Sequence, residues 1–280
     1  MDILLIGGWI ILIFLGLSLI KTPVDINLRT IGWFFVSIMS IIYSYVAWIE
    51  QHSIVQSSLS IILSILAFYI SYLILNKTIK LRQTTFFITI STSILLFVYS
   101  IPTIQWTLIS SVAEETQYLL HLLGYDTILK QGEEGIYIVF NNTTDSLRTQ
   151  IVLACTGIGS IALFIGFISA INTIENKTKV LLTVISVSTI YLLNIVRNAF
   201  IAGAYGNQWF HIYPKIVGKI FGRTDEWVSF YIADKVISQI GSVVFMILFA
   251  IFILNIIGNK TKLFSELDNL FKHIKNKFNI

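Results

Sequence analysis

Charge and cysteine are what this 280-residue chain has least of, and each scarcity excludes a class of protein. Charged residues make up 12% of the chain, where a soluble domain carries about 25%. An ordinary cytosolic enzyme is thereby excluded. The single cysteine, Cys155, can form neither an intrachain disulfide nor a Cys-based zinc site, so it is a free thiol or a packing residue. There is no internal repeat and no low-complexity segment. The chain is instead rich in apolar residues, which make up 55% of it and recur in long runs from end to end, leaving no stretch for a separate soluble core. The net charge of +4 does not point to nucleic acid, because most lysines and arginines sit in short loops between apolar runs and in the C-terminal tail.

Runs of about 20 apolar residues are long enough to cross a bilayer as helices. Seven are expected, near 3–20, 30–49, 54–75, 84–103, 151–171, 180–202 and 228–257. The first lacks a basic leading region and a clear cleavage site, and reads as a retained helix. The fold class is therefore an all-α polytopic membrane protein. It is one integral domain: four spans in 1–103, an extracellular insert at 104–150, three further spans in 151–257 and a basic cytoplasmic tail at 258–280. Twelve lysines and arginines fall in the loops of one side and five in those of the other. By the positive-inside rule the N-terminus is outside and the tail cytoplasmic. Two cations remain inside spans, Arg197 and Lys235, with Asp234 beside the latter. Ionisable groups within a span are costly and mark function by default.

The insert divides in two. From Gln105 to Leu123, Trp106, Ile109, Val112, Tyr118, Leu119 and Leu122 recur at helical spacing with Glu114 and Glu115 on another face, predicting an amphipathic helix in the outer interface. After a turn around Gln131 to Gly135, the runs Ile136–Phe140 and Leu147–Leu153 predict a short β-hairpin leading into the fifth span. Asn141 and Asn142 each begin a glycosylation sequon. In the tail, Leu263, Leu267, Leu270, Phe271 and Ile274 alternate with lysines, predicting a basic amphipathic helix on the inner surface.

Three residues could carry chemistry: Cys155 in Ala-Cys-Thr-Gly-Ile-Gly-Ser, Arg197 in Asn-Ile-Val-Arg-Asn, and Lys235 in Ala-Asp-Lys-Val-Ile. All three fall within roughly 6–11 Å of the outer boundary at the helical rise. A thiol becomes a nucleophile as its thiolate, which a cation or a helix N-terminus favours. Cys155 is expected to begin a helix, with Arg197 approaching from the next and Gly157 and Gly159 admitting another backbone or a substrate. Arg197 could hold the thiolate and then an oxyanion. The proton carrier is open between Lys235, His211 and Asp234. Adjacent helical positions point about 100° apart, so Asp234 and Lys235 are not expected to face the site together. Taken singly, a lone membrane cysteine packs more often than it reacts, an arginine near a helix end can snorkel, and His211 and His121 read as interfacial polar residues.

On these three motifs, spread over roughly residues 84–257, the chain resembles the exosortase/archaeosortase family of polytopic membrane transpeptidases. The resemblance implies that Cys155 is the nucleophile and Arg197 the catalytic arginine. Lys235 is the best match to the third family position, a His in many exosortases and an Arg in the archaeosortase branch. It implies cleavage, at the outer membrane face, of C-terminal sorting signals on surface proteins, each a short motif, a hydrophobic span and a basic end. Cleavage passes through a thioester to an amine acceptor, a lipid. No cofactor, metal or nucleic acid is called for. The competing classes are a transporter or channel, with the three charges along a pathway, and a non-catalytic scaffold in which Cys155 only packs.

Overall fold

The computed structural model describes residues 2–20, 25–78, 81–141, 147–212, 215, 225–257, 266 and 270. All seven apolar runs become helices. They are α1 (Asp2–Leu17), α2 (Asp25–Ile49), α3 (Ile54–Leu75), α4 (Arg82–Ser100), α6 (Ile158–Ala170), α7 (Asn176–Gly206) and a last helix, Trp227–Ile257. Between α4 and α6 stand α5 (Pro102–Leu122) and the strands β1 (Thr127–Gln131), β2 (Ile136–Phe140) and β3 (Arg148–Ile151). The last helix divides into α8 (Trp227–Tyr231), a π-helical segment (Ile232–Ser238) and α9 (Gln239–Ile257). Among the described residues, α2, α3, α4, α7 and Trp227–Ile257 are long and apolar enough to cross a membrane, while α1 and α6 are apolar but shorter. The protein is an all-α polytopic membrane protein carrying one small sheet.

In an apolar medium helices gain little from burying more apolar surface, so small residues and side-chain hydrogen bonds decide which faces meet. The α2–α3 hairpin is joined that way, with Ser37 against Ser64 at 3.1 Å and Ser44 against Ser57 at 2.9 Å. Gly166 performs the same service between α6 and α4, where it lies directly against Ser91 and the Phe87 carbonyl.

The end of the bundle where α1 stops and α2 and α4 start is polar. Arg29 was expected in a loop, but α2 begins five residues before the apolar run, so Arg29 lies buried in its second turn. Its charge is met by Asp25 at 3.6 Å and it donates to the Ser18 carbonyl at 3.2 Å. Arg82 donates to the Leu19 carbonyl at 3.1 Å, so two guanidinium groups satisfy the frayed end of α1. Glu266 accepts from the Gln83 and Thr84 amides at the start of α4, each at 3.1 Å. Leu270 is buried in the α1–α3 core, which corrects its expected place on a membrane surface, and the rest of the tail helix lies outside the described residues. Asn142 and the threonines of both sequons also lie outside them.

At the other end, α5 forms as the spacing predicted, with Pro102 at its first position, where a missing amide costs nothing. Its buried face is Ile109, Val112, Ala113, Thr116 and Leu120, while Tyr118 and Leu122 are exposed. The expected hairpin is extended by β1, giving an antiparallel sheet in the order β1-β2-β3. Ile128 pairs with Val139, and Ile138 with Thr149. Gln117 and His121 on α5 both donate to the Thr127 carbonyl, at 2.7 and 2.9 Å, and so anchor β1. The sheet's Ile138, Phe140 and Ile151 share one core with Val112 and Leu120 of α5 and Ala199 and Ala202 of α7, and Cys155 packs at its edge.

The α4–α6 contact yields a prediction. A Cβ at Gly166 would stand 2.8 Å from the Phe87 carbonyl oxygen, whereas one at Gly159 has nothing within 4 Å. Gly166→Ala is expected to destabilise the detergent-solubilised protein by about 1–3 kcal/mol through overpacking, and Gly159→Ala to leave its thermal midpoint unchanged. Equal midpoints for the two variants would show that α4 and α6 do not meet at Gly166.

Candidate active site

The fifth apolar run was expected to be helical from residue 151, with Cys155 in its first turn. Instead the chain leaves β3 at Ile151, makes a 3-10 turn over Leu153–Thr156 and starts α6 at Ile158. Gly157 causes the break. It adopts a left-handed φ of 76°, which costs other residues roughly 1–2 kcal/mol, and its α-carbon packs on Asn194. The turn is closed by Thr156 Oγ1 donating to the Leu153 carbonyl at 2.7 Å. Cys155 therefore precedes α6, partly buried, its Sγ facing the Gln150 carbonyl of β3 at 4.0 Å. The glycines expected to admit a substrate also divide: Gly157 is filled by Asn194, and only Gly159 is open.

Because the turn is not α-helical, the Cys155 carbonyl points sideways, toward α7. Two amides receive it there. Asn194 Nδ2 donates to it at 2.5 Å and Asn198 Nδ2 at 2.8 Å. The two asparagines are four residues apart, hence one above the other on a single helix face, and Arg197 stands between them in sequence. These asparagines were quoted with the arginine motif but given no role. The signal that could have found them is a pair of amide side chains at helical spacing inside an apolar run, where a polar group needs a partner.

Arg197 is turned toward the last helix. Its Nη2 donates to Asp234 Oδ1 at 2.6 Å, and Lys235 Nζ meets Asp234 Oδ2 at 3.0 Å. One carboxylate thus lies between two cations, with the three side chains 12–24% exposed. Asp234 and Lys235 sit in a π-helical segment, and the lysine stem reaches back to its neighbour's carboxylate. The charges of Asp234, Arg197 and Lys235 act on the Cys155 thiol through space, and no hydrogen bond among the described residues joins any of them to it. Arg197 Nε is buried and has no hydrogen-bond partner among the described residues. His211 is exposed past the end of α7, and no hydrogen bond or ion pair among the described residues joins it to this cluster. No group of metal-ligating side chains occurs among the described residues.

A helical bundle with apolar spans, a small sheet at one end and a bridged Arg197–Asp234–Lys235 cluster inside it defines a polytopic membrane protein. The chain matches the family described as Transmembrane exosortase (Exosortase_EpsH) over residues 3–254, and it belongs to that family. Two similar relatives are both named Archaeosortase A. That of Haloferax volcanii is 38% identical over 151 residues, covering 53% of this chain and 50% of the relative. That of Natronomonas pharaonis is 30% identical over 221 residues, covering 76% and 69% respectively. The match thus spans half the length of the first relative. No solved structure matches the chain.

The bridging carboxylate generates a prediction about stability. Asp234→Ala leaves two cations together and out of water, and should cost on the order of 3 kcal/mol. Lys235→Met leaves the Arg197–Asp234 pair intact and should cost far less. Thermal unfolding of the purified variants in detergent gives the order; a Lys235→Met protein less stable than Asp234→Ala would contradict the bridge.

Proposed function

We propose that the chain is a membrane-embedded cysteine transpeptidase that removes C-terminal sorting signals from surface proteins and passes the trimmed proteins to an amine-bearing lipid. The observation that carries this reading is that Asn194 and Asn198, on the helix that bears Arg197, hold the Cys155 carbonyl, while Arg197 and Lys235 share the Asp234 carboxylate. Family membership and two relatives named Archaeosortase A support it.

Arg197 and Lys235 stabilise the thiolate of Cys155 as it forms, against the cost of burial and of the Asp234 charge. The thiolate attacks the scissile carbonyl carbon, and Arg197 Nε–H, which has no partner among the described residues, donates to the oxyanion. As the C–N bond breaks, the Lys235 ammonium protonates the departing amine, and the signal's hydrophobic span leaves. The substrate remains on Cys155 as a thioester. An amine acceptor then attacks the thioester carbonyl, its proton returns to Lys235, the C–S bond breaks and a new amide forms. Asp234, committed to two cations, keeps them in place and is not the base, and His211 lies outside the proton path. The site faces outside, with the N-terminus on the same side and the tail in the cytoplasm, a reading that the distribution of loop cations supports. A scissile bond just beyond a transmembrane signal needs a nucleophile near that surface.

The test is C-terminal processing of a co-expressed surface protein ending in a motif, a hydrophobic span and a basic tail. Cys155→Ala should abolish processing while remaining folded in the membrane, and Arg197→Lys, which keeps the charge but loses the planar fork, should lose most of it. Processing at the wild-type rate by Cys155→Ala would refute the reading.

A further inference from the structure

We propose that Asn194 and Asn198 are positioning residues: by clamping the Cys155 backbone carbonyl they hold the thiol in register with Arg197 and so set its reactivity. This rests on the reading of Cys155 as a nucleophile activated by Arg197. A 3-10 turn between a strand and a left-handed glycine has little intrinsic rigidity, since it lacks the repeated hydrogen bonds of a helix. Within the turn the restraints are the Thr156 hydroxyl on the Leu153 carbonyl and the Cys155 amide on the Val152 carbonyl at 2.8 Å. Neither links the turn to α7, where the arginine is. The two asparagine amides do, at 2.5 and 2.8 Å, on the carbonyl of the nucleophilic residue itself.

The geometry is economical. Asn194 and Asn198 are one turn apart, and Arg197 lies three residues past the first and one before the second, so clamp and cation ride on the same rigid helix. Asn194 also fills the space beside Gly157, tying the clamp to the residue that precedes α6. Two donors on one oxygen fix the direction of that carbonyl more tightly than one could. Loss of the clamp therefore lets the thiol drift from Arg197, Asp234 and Lys235 without removing any charge. The groups acting on the thiol from the packed elements are Arg197 on α7 and Asp234 and Lys235 on the π-helical segment.

The experiment is a double-mutant cycle on the rate at which N-ethylmaleimide labels Cys155 in the full-length protein in detergent, with thermal melting as the check on folding. Asn194→Ala/Asn198→Ala should slow labelling about tenfold when Arg197 is present, a mid-range coupling for groups in contact. In the Arg197→Ala background the same pair should change the rate little, because there is no longer a cation for the thiol to be held against. A role confined to stability would change both backgrounds alike. Faster labelling, an unchanged rate, or the same slowing in both backgrounds would overturn the proposal. If wild type and Arg197→Ala label equally fast, the activation step of the proposed function fails as well; if they differ and the clamp variant labels like wild type, only the clamp fails. Should the double variant not fold, Asn194→Ala and Asn198→Ala are read singly, each retaining one donor. Each should show a smaller slowing that depends on Arg197, and wild-type rates in both, or failure of both to fold, would overturn the proposal.

Discussion

Arg197 and Lys235 are largely withdrawn from water, and a cation so placed is tolerable only with a carboxylate beside it. Asp234 meets both, one oxygen to each. The rest of the site follows from that shared partner. Arg197 is drawn across from α7 to the last helix, so the two helices are fixed against each other at the depth of the site. Lys235 folds back along its own backbone, and the segment bearing both residues opens into a π-helix. π-helical insertions recur at functional sites because they aim side chains that an α-helix would place on different faces.

The π segment is braced from a distance. Gln239, the first residue of α9, accepts a hydrogen bond from Ser53 at 2.7 Å, and Ser53 is also the N-cap of α3. The hairpin of α2 and α3, which contributes none of the reacting groups, is thus tied to the helix that supplies Asp234 and Lys235. On the other flank, α5 and the sheet hold β3, and β3 runs into the turn that bears the thiol. Cys155 is delivered by a strand and a short turn, and the cations by two long helices.

Much of the fold was legible because lipid imposes a simple demand: a spanning segment must be apolar and satisfy its own backbone. Seven runs were found as seven helices, and α5, β2 and β3 could be read from the period of their apolar residues. Cys155, Arg197 and Lys235 could be picked out because thiols and charges are rare in such runs. Where the reading stopped short, the cause was a local effect without a periodic signature. Residues 151–157 are as apolar as the helix that follows, and composition cannot separate a buried strand and turn from a helix. The left-handed Gly157 that separates them is one glycine among 16. β1 has a single buried residue, Thr127, and owes its place to Gln117 and His121 on α5. The π-helix left no mark on the pattern, so the contact of Lys235 with the Asp234 carboxylate was not read from it. Arg29 looked like a loop residue because the apolar run starts after it, yet α2 begins earlier, at Asp25, its ion-pair partner.

The central claim is that Cys155 forms a thioester with its substrate, and trapping that thioester tests it most directly. Neutral hydroxylamine added to membranes processing a sorting-signal substrate attacks thioesters and leaves amides untouched. The account predicts that the new C-terminus of the cleaved protein, read by mass spectrometry, carries a hydroxamate in the wild type, and that neither cleavage nor hydroxamate appears in Cys155→Ala. Cleavage that persists in Cys155→Ala and leaves only a free carboxylate in hydroxylamine would contradict it, because water and not Cys155 would then have attacked the peptide bond.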